Sequence, residues 1–560
     1  MQRLSLLASV AAATCKECSG PTFPVPVANT LNGSYYGERI EQSYTENFLG
    51  IPYAQPPTGH LRLQLPQSLN STWSGTKNAT EYGYGCVGLG EDTQVAIDNY
   101  VNEDCLTMNV VRPAGYDGNA KLPVLVWIHG GGFVEGSSRD PRYNLTSIVE
   151  QSAKIGKPII AASFNYRLLA YGFARSKQIL DAGLANLGLK DQRLALHWVQ
   201  ENIAGFGGDP EKVTIWGESA GGFSVGYHLL AYNGRDDKLF RAAISESGQP
   251  IGMALLVPTQ IEAAFHNFTL RAGCETHSDK LACLRSLSPK KFLAAHNNEA
   301  SGFWPSVDGD FVARPTLNQL STGNFVKVPY LAGDNSDEGT AFSPFGVNSD
   351  SQLFDVLSHF GLDNATVSEL MVLYPNNPAQ LIPNSHPAQF NSTIGLQWKR
   401  IATIVTDALM SVPRKLMIEA MAKKSTAPIY TYRFNTIPNG VEDVWSVTHF
   451  MEMAFVLNNR DGIGYTDVSQ PYLGPNPFAG KPQSYLDLAD LMSRMWVSFA
   501  HDLDPNCHPH YGPNWQRYKL SDKKQIVFDA VNGVHLENVY ALRANATRFI
   551  MDYLWKQVRN

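Results

Sequence analysis

The sequence predicts an α/β fold: a mostly parallel sheet flanked by helices, in one large domain with insertions. Two observations predict it. Short apolar runs rich in β-branched residues alternate with stretches of helical period, and that alternation implies parallel strands covered on both faces by their crossover helices. No internal repeat, low-complexity tract or Pro/Gly/Ser linker divides the 560 residues, although a split near residue 320 stays open. A hydrophobic fraction of 44% with 17% charged residues describes an ordinary soluble globular chain. The net charge of −6, with no run of lysine and arginine, gives no footprint for nucleic acid.

Taken in order, the first element is MQRLSLLASVAAATCKEC. Arg3, the apolar stretch Leu4 to Ala13 and the small residues Ala11 and Ala13 predict a secretory signal over residues 1–13, leaving 14–560 as the mature domain. The stretch is too short to span a bilayer, and the terminal YLWKQVRN is neither an anchor nor a retention signal, so no stable membrane anchor is expected. Cysteine usage agrees with export. Cys86 with Cys105, and Cys274 with Cys283, could each close a loop, although spacing proves neither; Cys15, Cys18 and Cys507 are left over. Glycosylation acceptors stand at Asn32, Asn70, Asn78, Asn144, Asn267, Asn364, Asn391 and Asn545, as suits a secreted, extracellular protein.

The predicted strands are VLVWI (124–128), PIIAASFN (158–165), KVTIW (212–216), RAAISES (241–247), VPYLAGD (328–334) and PIYTYRF (428–434), with a helix over LKDQRLALHWVQENI (189–203). In such sheets the active site lies in loops beyond the carboxyl ends of the strands. Two of those loops stand out. KVTIW runs into GESAGG (217–222), a serine between small residues on a strand-to-helix turn; alone, this pattern is weak evidence for a nucleophile. VLVWI runs into HGGGF (129–133), where three glycines free the backbone to approach a substrate and aim N–H groups at developing negative charge. Together they provide what acyl transfer needs: Ser219 as nucleophile, with an oxyanion held by the glycine loop and by the Ala220 N–H.

A serine needs a base to take its proton and a carboxylate to orient that base. In this architecture both follow the nucleophile in the chain. Asp334, Asp337 and Glu338 all qualify as the acid. Among the late histidines, His449 follows a predicted strand; His501, His508, His510 and His535 are the others. Spacing alone leaves the acid open.

These segments resemble the type-B carboxylesterase/lipase family of α/β-hydrolases, cholinesterases and fungal lipases included, and most closely its secreted fungal members. FLGIPYAQPPTGHLRL (48–63), EDCLTMNV (103–110), WIHGGGF (127–133), NYR (165–167), GLKDQRLALHWVQENIAGFGGDPEKVTIWGESAGG (188–222), DEG (337–339), HFMEMAFV (449–456) and MWVSFAHDLDPN (495–506) fall in the family's order. The resemblance implies an α/β-hydrolase domain with a Ser219–His449–Glu338 triad and an oxyanion hole of Gly131, Gly132 and Ala220. It also implies a buried supporting role for Glu218, a structural carboxylate at Glu452, and the bridges Cys86–Cys105 and Cys274–Cys283. Cys507 then reads as a free buried thiol. No metal or organic cofactor is implied, and CHPH (507–510) reads as a chance grouping.

The stretch VGLGEDTQVAIDNYVNED between Cys86 and Cys105 is short, acidic and free of tryptophan. It covers little apolar surface and offers no tryptophan wall for a quaternary ammonium, though Tyr82, Tyr84 or Tyr100 could partly substitute. The expected activity is therefore that of a carboxylesterase on short to medium acyl esters, small-molecule or lipid, with triacylglycerol lipase as the alternative. A non-catalytic binding protein on the same fold is a third reading, which the intact triad residues disfavour. Phe133 and Trp304 are candidates for the substrate pocket or, equally, for core packing.

Overall fold

Eleven strands pair into one sheet among the residues described by the computed structural model, which are 24–251, 258–297, 302–377, 391–465, 475–509 and 512–559. In chain order they are β1 (Glu38–Ile40), β2 (Thr45–Pro52), β3 (Thr107–Pro113), β4 (Leu122–Ile128), β5 (Ile160–Phe164), β6 (Gly208–Glu218), β7 (Ala242–Glu246), β8 (Tyr330–Asn335), β9 (Ile429–Phe434), β10 (Lys524–Phe528) and β11 (His535–Asn538). Across the sheet the order is β11-β10-β9-β8-β7-β6-β4-β5-β3-β2-β1. The strands from β10 to β5 run parallel, and antiparallel pairs close both ends. Each of the six strand runs read from the sequence lies in this parallel centre. Residue 320 falls between β7 and β8, which pair directly, Ala243 opposite Tyr330. The signal expected at 1–13, Cys15, Cys18 and His510 lie outside the described residues.

Every residue of β4 is buried. Its alternate side chains enter two separate cores: Val124, Val126 and Ile128 face one, Leu125 and Trp127 the other. The first core is closed by α1 (Leu187–Asn202) and α2 (Ala220–Gly234), through residues such as Leu189, Val199, Val225 and Leu229. Packed with it is α3 (Trp398–Thr406), which carries Trp398 and Ile401. The second core is closed by α4 (Gln483–Asp502), whose Met492, Met495, Trp496 and Phe499 cover Trp216, Tyr430 and Tyr432. A one-residue slip would send each of these sets into the other core, where the volumes do not match, so the packing of both cores holds the register and with it the strand ends. Among the described residues no helix is long and apolar enough to cross a membrane.

Disulfides join Cys86 to Cys105 and Cys274 to Cys283, with S–S distances of 2.01 and 1.99 Å. Cys507 is free, but it is exposed, which corrects the expectation of a buried thiol: the turn after α4 leaves its side chain on the surface. Asn70, Asn78, Asn267, Asn364, Asn391 and Asn545 are exposed; Asn32 and Asn144 are partly buried.

Candidate active site

The candidate residues converge because they all follow carboxyl ends of parallel strands: the glycine loop follows β4, Ser219 follows β6, Glu338 follows β8, and His449 stands in the long loop after β9. Ser219 is the residue between β6 and α2, with φ 56° and ψ −125°. A non-glycine residue at such angles is strained and persists only where its surroundings hold it. They do so here. The Ser219 N–H donates to the Glu246 carbonyl at 3.0 Å, and its carbonyl accepts from the Phe223 N–H at 2.9 Å. A Cβ at position 221 would lie 1.9 Å from the Ile128 carbonyl, so only glycine lets the elbow close onto the end of β4.

The glycine loop stands directly beside this turn. A Cβ at Gly130 would come within 2.9 Å of Ser219 Cβ, and Gly131 and Gly132 take φ of 96° and 61°. The Gly131 carbonyl accepts from Val134 and Glu135, both at 3.0 Å, which ties back the far side of the loop. Ala220 is the first residue of α2, where a helix has N–H groups without intrahelical partners and a positive dipole end.

The three acids left open by the sequence are separated by their partners. Asp334 pairs with Arg414 at 2.9 Å and Asp337 with Lys399 at 3.5 Å. Glu338 instead places Oε2 2.5 Å from His449 Nδ1. Its Oε1 accepts from the Ser247 hydroxyl at 2.5 Å and the Asn335 N–H at 2.6 Å. Asn335 Nδ2 reaches the Thr448 carbonyl at 2.8 Å and Glu452 at 2.7 Å, bracing the acid loop against the base loop. Of the other late histidines, His501 pairs with Asp502, His508 Nδ1 sits 3.0 Å from the Pro509 carbonyl, and His535 lies on the outermost strand.

With Nδ1 committed to Glu338, His449 Nε2 is the free end of the imidazole. It lies 3.2 Å from Glu218 Oε1, without the alignment of a hydrogen bond, and has no hydrogen bond to Ser219. Burial by itself lowers the His449 pKa; the Glu218 charge first, then Glu338 and Glu452, outweigh it and raise the group to about 9. Glu218 is held well above the usual carboxylate range, chiefly by burial, with His449 opposing. Glu452 is raised to about 7 by burial and by the Glu338 charge, against its hydrogen bond from Asn335.

Phe133 is fully buried, its ring edge-on to Phe173 at 4.9 Å, in core-packing geometry. Trp304 is half-buried, packed against the same core, with an indole N–H that has no partner. Reading by motif overlooked several residues here. Phe342, 43% exposed, sets its ring 4.9 Å from that of His449. Ser247 braces Glu338, and Glu246 accepts the indole N–H groups of Trp216 and Trp496. The SES of 245–247, placed just past a buried strand, was the available signal. Among the described residues no group of His, Cys, Asp and Glu is arranged to hold a metal ion.

A parallel sheet of this order, with a strained serine elbow, a glycine loop and a Glu–His pair gathered at its carboxyl edge, is the arrangement of the α/β-hydrolase class. The carboxylesterase family model matches residues 24–544, and the chain belongs to that family. Lipase 4 of Diutina rugosa is 38% identical, over 93% of this chain and 92% of its own. Secreted lipase 1 of Botryotinia fuckeliana is 34% identical, over 94% and 90%. The crystal structure of Aspergillus niger EstA superposes with a TM-score of 0.80 at 27% identity, covering 96% of this chain and 99% of that one. The protein is a carboxylic ester hydrolase.

Proposed function

We propose that the protein is a secreted serine carboxylesterase acting on short to medium acyl esters through an acyl-enzyme. The Glu338–His449 pair, whose Nε2 lies 3.2 Å from the carboxylate of the residue preceding the strained Ser219, is the observation that carries the reading. Ser219 Oγ attacks the ester carbonyl as His449 Nε2 takes its proton; Glu338 holds the imidazole by Nδ1 and stabilises the imidazolium. The N–H groups of Gly131, Gly132 and Ala220 receive the tetrahedral oxyanion, each such donor being worth about 3–4 kcal/mol to the transition state. His449 returns the proton to the leaving alcohol, and water releases the acid by the same steps in reverse. Secretion is supported by the two disulfides, by the exposed acceptors at Asn70, Asn78, Asn267, Asn364, Asn391 and Asn545, and by secreted relatives. Triacylglycerol hydrolysis is the second reading, favoured by the lipases among the relatives.

Hydrolysis of p-nitrophenyl esters from acetate to palmitate, by wild type and Ser219→Ala, tests both. We expect a maximum at short to medium chains, and a loss of about 10⁴-fold or more in Ser219→Ala. A maximum at long chains, rising once the ester forms an emulsion, moves the reading to lipase. Equal rates in the two proteins remove Ser219 as nucleophile.

A further inference from the structure

The loop closed by Cys86–Cys105 is fastened at three points to the segment that follows the glycine loop. The Leu89 N–H donates to the Val134 carbonyl at 2.8 Å. The Asp92 N–H donates to the Glu135 carboxylate at 2.9 Å. The Asp92 carboxylate pairs with Arg142, whose side chain is only 2% exposed. The same guanidinium forks onto Asp140, 2.6 Å from its Oδ2, and lies 5.0 Å from the centre of the Phe450 ring. Phe450 directly follows His449 and holds a positive φ of 75°. One side chain therefore touches the disulfide loop, the oxyanion-side segment and the neighbour of the base. A buried ion pair is seldom more stabilising than apolar side chains of the same volume. What this one adds is direction: a planar fork of N–H groups donates to its carboxylates in one geometry only.

We propose that Arg142 is a positioning residue that fixes the Cys86–Cys105 loop as a permanent wall of the site and steadies the backbone at His449. The proposal rests on His449 being the base. A wall held in this way does not lift as a lid, so turnover requires no loop opening. Glu135, whose carboxylate holds the Asp92 N–H, donates its own N–H to the Gly131 carbonyl at 3.0 Å, which puts this wall against the glycine loop.

Hydrogen–deuterium exchange over residues 86–105, combined with steady-state hydrolysis of p-nitrophenyl butyrate, tests this in the full chain and in Asp92→Ala, Arg142→Met and Arg142→Lys. In Asp92→Ala and Arg142→Met the amides of 89–98 should exchange about tenfold faster. In Arg142→Met kcat should fall while KM changes little, with part of kcat restored by Arg142→Lys. Asp92 is 17% exposed and can be truncated without opening the core, so its variant decides the matter if Arg142→Met does not fold. Unchanged exchange in Asp92→Ala overturns the fixed wall; faster exchange in Arg142→Met with wild-type kcat overturns the positioning role. Exchange is read without turnover, so a wild-type protein lacking esterase activity would count against the proposed function while leaving the loop measurement intact.

Discussion

His449 turns its free ring nitrogen toward Glu218, the residue next to Ser219. In the proposed mechanism His449 Nε2 must be unprotonated to accept the serine proton, yet the Glu218 carboxylate lies 3.2 Å from it. The raised His449 group, at about 9, is positively charged below that pH. We therefore expect kcat/KM to climb from neutral into alkaline pH, with a limb belonging to the His449–Glu218 pair as a unit. In Glu218→Gln the charge that most raises His449 is gone, its pKa falls, and the limb should move toward acid. A pH–rate profile of the variant that superposes on wild type would mean that Glu218 takes no part in the titration. How the sequence disclosed these residues was uneven. Ser219 sits in a local pattern of five residues, so a motif reveals it. Glu338 was ambiguous beside Asp334 and Asp337, because what separates them is Arg414 and Lys399, far along the chain.

At the scale of single elements, the turn from β6 into α2 shows why a short pattern carries so much information. Three chain segments meet there at backbone-to-backbone distance. A Cβ at 221 would meet the Ile128 carbonyl, and one at 222 would lie 2.6 Å from the Glu246 carbonyl. Glycine is the sole residue that fits, so chemistry and geometry write the same letters. We expect Gly221→Ala to cost about 1–3 kcal/mol of stability by overpacking, and to lower kcat by more than stability explains, since the displaced turn carries Ser219. Thermal unfolding with kinetics at a temperature where the variant is fully folded separates the two effects; wild-type kcat there would refute the close fit. The strands were legible for a related reason: buried on both faces, they are continuous apolar runs. The edge strands β1 and β11 were not, since they are short and partly exposed, with no such run to find.

For the molecule as a whole, the fold class followed from alternation alone, because two cores on one sheet demand it. The long connections did not follow from pattern. Trp216 and Trp496, which both reach Glu246 Oε1, are hundreds of positions apart in sequence. Such a buried carboxylate, shared by β6, β7 and α4, appears only when the chain is folded. The strained angles of Ser219 have a consequence at this same scale. Holding a non-glycine residue there costs about 1–3 kcal/mol, an appreciable part of a domain's net stability. That free energy is supplied by the rest of the fold and recovered when the serine is removed. Ser219→Gly should therefore unfold later than wild type, by about 1 kcal/mol after allowing for glycine's looser unfolded chain. Denaturant titration of the two proteins gives the comparison, and an unchanged midpoint would mean the turn is unstrained. The glycine variant should be the sturdier molecule, because part of this protein's conformational stability is held as tension at its proposed nucleophile.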